Sequence, residues 1–353
     1  MRLLSPILQR LVYPAMGKVG YFHSRASAAV ITYHGVLPAE YRSTDAFLDN
    51  TLVSIDAFRS QLSLLKQHYN VISPELFLEW IHGTEKLPPR AVLLTCDDGL
   101  LNNLTVMTPI LQEYGLQCLF FVTGTSAGEN PALLWYVELY LMLTEVSQAR
   151  PAFEWKGIRI PAVSDSQEDR RSQWLQLMDR LSRFSGKDRT EFLQEACGRW
   201  CLKPGWERRY LEDPVMRQRF HLLRARDLKE MTDARVTIGA HTMSHPMLSQ
   251  QPAELAGEEI NQCRIELQNC TGKPVWALAY PYGTPTAAGE REFDLARTAG
   301  YECAFMNIPG RLEKASRLAL PRVHVTAEMS PSVFEAHVSG VHESIRNLIR
   351  RTR

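Results

Sequence analysis

The sequence lacks any long hydrophobic run: no stretch of its 353 residues is apolar over the roughly 18 positions that a membrane-spanning helix needs. It also lacks an excess of either charge, and a formal net charge of +1 gives no support for nucleic acid as a partner. Its seven cysteines are odd in number, which argues against a disulfide framework in a chain of this size. What remains is an ordinary globular composition, with 45 % hydrophobic residues to build a large core.

The N-terminal segment, residues 1–28, has no convincing export signal, because Gln9 and Arg10 interrupt its apolar stretch. We therefore expect a cytoplasmic protein. Four apolar positions in this segment have the spacing of a short amphipathic helix: Leu4, Ile7, Leu8 and Leu11. Such a helix can pack against the rest of the protein or lie on a membrane surface, so a peripheral contact with the inner membrane surface stays open.

Strand-like runs alternate with helical stretches between residues 29 and 325. The runs lie at 29–33, 71–72, 91–95, 118–122, 236–239, 275–280, 303–306 and 318–323. Repeated strand–helix units imply a parallel sheet with right-handed crossovers. Over this length they favour a barrel over an open sheet. We therefore predict an α/β fold, namely a distorted (β/α) barrel of about 6–7 parallel strands.

This alternation stops between about residues 128 and 227, where the sequence is mostly helical and rich in Trp, Arg and Glu. We interpret this stretch as a helical insertion in the barrel. Its aromatic side chains could line a binding site or could pack in a core of the insertion itself. The last segment, 326–353, is predicted as a helix at about 332–346 followed by a basic tail.

Polar clusters follow four of the predicted strands. They are Tyr33-His34-Gly35, Thr95-Cys96-Asp97-Asp98-Gly99, His241-Thr242-Met243-Ser244-His245-Pro246 and Tyr280-Pro281-Tyr282-Gly283. In a parallel barrel the carboxyl ends of all strands open on the same face, so these clusters are expected to converge although they are far apart in sequence.

Two of these clusters suggest a metal site. Adjacent carboxylates at Asp97 and Asp98 would repel each other at the end of an apolar strand unless a cation or hydrogen-bond donors compensate. His241 and His245 are four residues apart, which on a helical turn would place both imidazoles on one side. We predict that Asp98, His241 and His245 bind a metal with open positions for water and substrate. Asp97, which is not a ligand, is then placed to act as a base.

The two clusters resemble the motifs of the polysaccharide deacetylases, carbohydrate esterase family 4. The family's first motif, T-F-D-D-G, is similar to the segment 95–99, and its second, H-S/T-x-x-H-P, is similar to the segment 241–246. The resemblance covers about residues 29–124 and 236–325. It implies a distorted barrel, a divalent metal that is usually zinc, and an acetylated glycan as the substrate.

The resemblance also implies roles for particular residues. In the family the first Asp of the pair is the base, and the second Asp with both His binds the metal, which supports the assignments made above. The family's Pro-Tyr motif matches Pro281-Tyr282 and implies that the backbone N–H of Tyr282 helps to hold the oxyanion.

Three positions depart from the family pattern. Cys96 replaces an aromatic residue, which should alter only packing. Ala279 stands where the family commonly has an Arg that orients the base, and Arg322 resembles the Arg that one branch supplies from a late strand; the alternative is a surface Arg. The general-acid His is not evident from the usual last motif. His34 resembles the first-strand His of the same branch and is the candidate acid, with His324 as the second candidate; either could instead be structural.

The sequence therefore leads us to expect a Zn²⁺-dependent hydrolase that removes acetyl groups from N-acetylated sugars of a polysaccharide or glycoconjugate. Two alternatives remain open, namely an O-acetyl esterase acting on glycans and a non-catalytic barrel that retains the metal and binds a glycan. A glycan carried on a lipid would suit a peripheral membrane contact. The sequence does not indicate an oligomeric state.

Overall fold

The computed structural model describes residues 8–20, 28–43, 45–164, 166–234, 236–310, 312 and 316–351. Its strands, in chain order, are β1 (Ala29–Tyr33), β2 (Val36–Leu37), β3 (Val53–Ser54), β4 (Asn70–Ile72), β5 (Ala91–Cys96), β6 (Leu119–Val122), β7 (Phe153–Trp155), β8 (Ile158–Ile160), β9 (Thr237–Ala240), β10 (Ala277–Ala279), β11 (Cys303–Met306), β12 (Leu320–Pro321) and β13 (Val323–His324). Nine of them form one parallel sheet, while β2–β3 and β7–β8 form separate pairs.

The sheet is a nearly closed barrel. Its strand order is β12-β11-β10-β9-β6-β5-β1-β13, and β4 pairs with the first half of β5. The two strands at the ends of this order, β12 and β13, are consecutive in the chain and are separated only by Arg322. The predicted (β/α) barrel is thus confirmed. Its strand count is higher than predicted because the run at 318–323 forms two short strands and β4 adds a branch.

Helices alternate with the strands and cover the sheet. In chain order they are α1 (Tyr13–Lys18), α2 (Ile55–His68), α3 (Pro74–His82), α4 (Thr108–Tyr114), α5 (Trp135–Glu145), α6 (Gln167–Leu181), α7 (Gly186–Arg199), α8 (Arg208–Leu211), α9 (Met216–Phe220), α10 (Ala225–Asp233), α11 (Ala253–Thr271), α12 (Glu290–Thr298), α13 (Pro331–Val338) and α14 (Val341–Arg351). Every residue of β5 and β6 is buried, as expected for parallel strands covered on both faces.

Local sequence explains where the first barrel helices begin and end. The Oγ atoms of Ser54 and Ser73 accept hydrogen bonds from the first turns of α2 and α3, which satisfies backbone donors that have no partner within the helix. At the end of α4, Gly115 takes a left-handed conformation (φ 64°) that residues with a Cβ rarely adopt. These capping and terminating residues are signals that the sequence itself carries.

The stretch predicted as an insertion contains α5 to α9 and the β7–β8 hairpin. Its helices pack around a core of their own, in which Phe192 and Trp200 are fully buried. The hairpin turns at Lys156 and Gly157, both with positive φ. The insertion is therefore a packed subdomain, and its first helix, α5, also contacts the strand ends of the barrel.

The two ends of the described chain pack together. Tyr13 of α1 is fully buried against Val333 of α13 and Val341 of α14, and its hydroxyl lies 2.6 Å from Nδ1 of His342. The prediction of a single final helix is wrong, because Gly340 (φ 74°) separates α13 from α14.

The N-terminal amphipathic segment is described only from Leu8 onwards, so the predicted positions Leu4 and Ile7 lie outside the described residues. Within the described part, Leu8 packs against the α13–α14 pair, whereas Leu11 is 68 % exposed. Among the described residues, no helix is both long enough and apolar enough to cross a membrane.

Candidate metal centre and catalytic site

The predicted site residues converge at the carboxyl ends of the strands. They lie around a cavity of about 520 Å³. Seven of them line it: His34, Asp97, Asp98, His241, His245, Tyr282 and His324. Arg322 contacts Asp97 and lies between β12 and β13, where the two ends of the sheet meet. The barrel thus brings together side chains from all four polar clusters of the sequence, and Arg322 and His324 join them from the β12–β13 segment.

Asp98, His241 and His245 form a compact, buried group. Oδ1 of Asp98 lies 3.5 Å from Nε2 of His241 and 3.5 Å from Nε2 of His245, and the three candidate ligand atoms lie within 4.8 Å of one another. No hydrogen-bond donor among the described residues satisfies this buried Asp98 oxygen, which is costly unless a cation is present. Two imidazoles and one carboxylate are a donor set that suits a divalent metal such as zinc.

A backbone carbonyl orients one of these imidazoles. Nδ1 of His241 lies 2.8 Å from the carbonyl oxygen of Ala279, at the end of β10. Because the carbonyl can only accept, Nδ1 carries the proton and Nε2 presents its lone pair towards Asp98. Ala279, which departs from the family pattern, therefore still contributes to the site through its backbone.

Left-handed backbone is concentrated at this site. Of the seven non-glycine residues with positive φ in the described chain, four belong to the site loops: Asp98 (78°), Thr242 (62°), His245 (56°) and Tyr282 (62°). Each such conformation costs about 1–3 kcal/mol and persists only where the surroundings enforce it. The segment 241–245 is not a helical turn. The prediction that a helical turn places the imidazoles of His241 and His245 on one side is therefore wrong. The left-handed residues instead let both imidazoles face Asp98.

Protonation of the site follows from burial and from the neighbouring charges. Burial alone would raise the pKa of Asp98. The surrounding histidines have the larger effect and hold this pKa below its ordinary value, so the carboxylate is ionised. Burial lowers the pKa of His245 to about 3, which leaves a neutral imidazole with a free lone pair. The pKa of His241 is raised, because its contact with Asp98 and the charge of Asp97 outweigh burial. A cation at Asp98 would oppose that protonation.

Arg322 is the partner of Asp97. Its Nη1 donates to Oδ1 and its Nη2 donates to Oδ2, both at 2.7 Å, and neither side chain is accessible to solvent. The guanidinium also lies over the rings of Phe121 and Phe305. Burial alone would raise the pKa of Asp97, but the charge and hydrogen bonds of Arg322 hold it below the usual 3.8. The alternative of a surface Arg at this strand end is therefore wrong.

His34 and His324 lie side by side at the edge of the cavity, with ring centroids 4.8 Å apart. Within the described chain, neither Nδ1 of His34 nor Nε2 of His324 has a hydrogen-bond partner. Burial lowers the pKa of His324 to about 3, so this ring is neutral at neutral pH and cannot donate a proton as an imidazolium. Burial thus counts against His324 as an acid, and His34 remains the candidate.

Tyr282 follows β10 and packs against a candidate ligand, with its ring centroid 5.1 Å from that of His245. In the part of the chain that the structure describes, no backbone carbonyl accepts from the Tyr282 N–H. The residue lines the cavity, so its backbone N–H can serve a ligand there.

The insertion supplies one wall of the cavity. The ring of Tyr136 lies 5.0 Å from that of His245, and Trp174 lines the opening. Exposed apolar side chains surround this opening, with Phe47 at 42 % and Leu175 at 47 % accessibility. Trp174 is only 8 % exposed and also belongs to the core of the insertion. Other aromatic side chains of the insertion pack in its cores: Trp135, Tyr140, Trp155, Trp200 and Trp206.

Sequence reasoning missed several cavity residues. Arg219 lines the cavity and donates to the buried carboxylate of Asp49 at 2.6 Å, while Asn307 follows β11. Neither lies in a motif, and Arg219 sits in the insertion, where no strand end marks the position of a site. The only available signal was the density of aromatic and arginine residues in that stretch.

Comparison with known proteins agrees with this fold. The family model for polysaccharide deacetylase matches residues 84–138 and 207–304. Among solved structures, the Streptococcus pyogenes deacetylase PplD in complex with acetate has 17 % identity and a TM-score of 0.55, covering 89 % of this chain and 98 % of that one. IcaB from Ammonifex degensii has 18 % identity and a TM-score of 0.52, covering 89 % of this chain and 97 % of that one.

A third structure, a de-N-acetylase from Aggregatibacter actinomycetemcomitans, has 16 % identity and a TM-score of 0.51, covering 88 % of this chain and 99 % of that one. At these identities the structures show a shared fold. No curated protein sequence matches the chain. The fold and the strand-end site are those of a (β/α)-barrel protein with a polar site at the carboxyl ends of its strands. Over the matched residues, the chain is similar to the polysaccharide deacetylase family.

Proposed function

We propose that this protein is a metal-dependent hydrolase that removes acetyl groups from N-acetylated sugars of a polysaccharide or glycoconjugate. The observation that carries this proposal is the buried Asp97–Arg322 pair directly beside the Asp98–His241–His245 group, at the floor of one cavity. A fixed, ionised carboxylate next to a three-ligand metal site is an arrangement that suits metal-assisted hydrolysis of an acyl group.

The metal would be held by Asp98, His241 and His245. The unsatisfied Asp98 oxygen and the orientation of His241 by the Ala279 carbonyl both suit a bound cation. Zinc fits this mixed nitrogen and oxygen donor set and is the metal that we propose. When bound, such an ion supplies Lewis acidity, which polarises an acetyl carbonyl and makes water a better nucleophile near neutral pH.

The chain's own residues would divide the remaining work. Asp97 takes the proton of the attacking water, and Arg322 keeps that carboxylate ionised and fixed in orientation. The backbone N–H of Tyr282 donates to the oxyanion that develops on the acetyl oxygen. His34 delivers a proton to the leaving nitrogen, because an amine departs from a tetrahedral intermediate only once that nitrogen is protonated.

An N-acetyl substrate is supported by the match to the polysaccharide deacetylase family model and by the likeness to a structure named as a de-N-acetylase. An O-acetyl ester would suit the same residues, since its carbonyl is attacked by the same water. The apolar opening formed by Phe47, Trp174 and Leu175 suits the face of a sugar ring or an apolar group that the glycan carries.

The proposal is tested by measuring acetate release from matched panels of N-acetylated and O-acetylated oligosaccharides, with Asp97→Asn as the control. We expect turnover of N-acetyl substrates that the substitution reduces by about 10²-fold or more. Turnover confined to O-acetyl substrates would replace the proposal by the esterase. Tight glycan binding with no turnover would replace it by the non-catalytic barrel.

A further inference from the structure

The loop that carries both histidines is held from two sides at its middle residue, Ser244. The backbone N–H of Ser244 donates to Oε2 of Glu259 at 2.8 Å, and its hydroxyl donates to the other oxygen of the same carboxylate. On the opposite side, Nη2 of Arg189 donates to the hydroxyl and, at 3.3 Å, to the carbonyl oxygen of Ser244. Glu259 belongs to the barrel helix α11, and Arg189 belongs to α7 of the insertion.

Arg189 is an unusual residue to find at this depth. It is 1 % exposed, its guanidinium lies 5.0 Å from the ring centroid of Trp135, and its Nη1 donates to the carbonyl of Phe184 at 3.0 Å. The carboxylate of Glu259 lies 3.8 Å away and balances its charge. Burial of an ion pair of this kind is a weak source of stability, because desolvation offsets the attraction. Its contacts at Ser244 indicate a role in the geometry of the loop.

A second contact from the insertion reaches the next residue of the loop. Nε1 of Trp135 donates to the carbonyl oxygen of His245 at 3.0 Å. The insertion therefore bonds two successive carbonyls, those of Ser244 and His245, immediately beside a candidate metal ligand. His245 has the left-handed conformation (φ 56°), which persists only when neighbouring contacts enforce it.

We propose that Arg189 is a positioning residue of the metal centre. Together with Glu259 it fixes Ser244, and through Ser244 it holds the backbone of His245 so that its imidazole faces Asp98. The insertion thereby sets the metal affinity of the barrel in addition to forming a wall of its cavity. This inference rests on the proposed function, in which His245 is a metal ligand. Partners of metal ligands typically change metal affinity by roughly 10–100-fold when they are removed.

The test compares Arg189→Met with Arg170→Met. Arg170 is a matched control, because it also lies in the insertion and donates to backbone carbonyls, those of Ser164 and Val146 at 2.8 Å, but it is remote from the loop. Zinc affinity is measured by competition with a chromogenic chelator, and the melting temperature of each metal-free variant is recorded. We expect Arg189→Met to weaken zinc binding roughly 10–100-fold and Arg170→Met to leave it unchanged. Arg189→Lys should restore part of the affinity.

A second variant keeps the test decisive if Arg189→Met does not fold. Ser244→Ala removes the hydroxyl link and leaves Arg189 and Glu259 in place, and it should also weaken zinc binding. Zinc affinity like that of the unaltered protein in either folded variant would overturn the inference and assign Arg189 to anchoring the insertion. Absence of zinc binding in the unaltered protein would instead overturn the proposed function, so the two failures are distinguishable.

Discussion

At the scale of single residues, the ion pair between Asp97 and Arg322 is the contact on which the proposed chemistry depends most. The pair is buried and bidentate, so neither group can be removed without leaving the other charge without compensation. The same contact keeps Asp97 ionised in a place where burial would otherwise favour its neutral form. Loss of Arg322 should therefore affect stability and activity together.

We predict that Arg322→Met destabilises the protein by about 3–5 kcal/mol, the usual cost of breaking a buried pair from one side. The pKa of Asp97 should rise in this variant, because the positive charge no longer opposes burial, and deacetylation should fall by about 10²-fold or more. Urea denaturation and acetate release measure the two effects. The double variant Asp97→Asn/Arg322→Met should regain most of the stability and remain inactive. Full activity in Arg322→Met would contradict the assignment.

The second prediction at this scale separates the two candidate acids. His34→Gln should lower kcat on an N-acetyl substrate by about 10²-fold, since general acid catalysis contributes roughly 10²–10⁴-fold. The loss should be smaller on an O-acetyl substrate, because an alcohol leaves more readily than an amine. His324→Gln should have a much weaker effect, because that imidazole is neutral with a pKa of about 3. Equal losses in both variants would argue against His34 as the specific acid.

At the scale of elements, helices α5 and α6 of the insertion contribute side chains to the wall of the cavity. Tyr136 and Trp174 line the cavity, while most other aromatic residues of these helices are buried in the cores of the insertion. Sequence alone could not separate these two groups, because helical spacing of aromatic residues is the same for a core and for a binding wall. Only the packing of the insertion on the barrel selects which face is left open.

We predict that Trp174→Ala raises KM for oligosaccharide substrates by about 2- to 10-fold with little change in kcat, which corresponds to the ~0.5–1.5 kcal/mol of an aromatic contact. The reason is that Trp174 lines the cavity and does not belong to the candidate metal group, while its 8 % exposure in the insertion core makes the melting temperature of the variant a necessary second readout. Steady-state kinetics on short and long oligosaccharides provide the measurement. Trp155→Phe, a change in the buried core of the insertion, is the control and should leave KM unaltered. An unchanged KM in Trp174→Ala would remove this side chain from the substrate site.

At the scale of the whole molecule, the sequence predicted the barrel and the site residues but not their local conformations. Strand–helix alternation and polar strand ends were sufficient to bring Asp98, His241 and His245 together, because parallel barrels gather such ends on one face. The left-handed loop at His245 was not predicted, since positive φ in non-glycine residues depends on contacts from distant elements such as α7.

The contact between Arg322 and Asp97 is a long-range feature of the same kind. The motif around Arg322 suggested it, but only closure of the barrel between β12 and β13 places this residue behind β5. The positions of Arg189 and Arg219 near the candidate site could not be predicted from the sequence. Their roles depend on how the insertion packs, and no periodic pattern in the sequence encodes that packing.

The central claim is that Asp98, His241 and His245 bind a metal on which deacetylation depends. The most direct measurement is metal content and acetate release from an N-acetylated oligosaccharide, before and after chelation, for the unaltered protein and Asp98→Asn. We predict about one divalent ion per chain, loss of activity on chelation, recovery with zinc, and loss of both metal and activity in Asp98→Asn. Undiminished turnover by a metal-free protein, or by Asp98→Asn, would contradict this account.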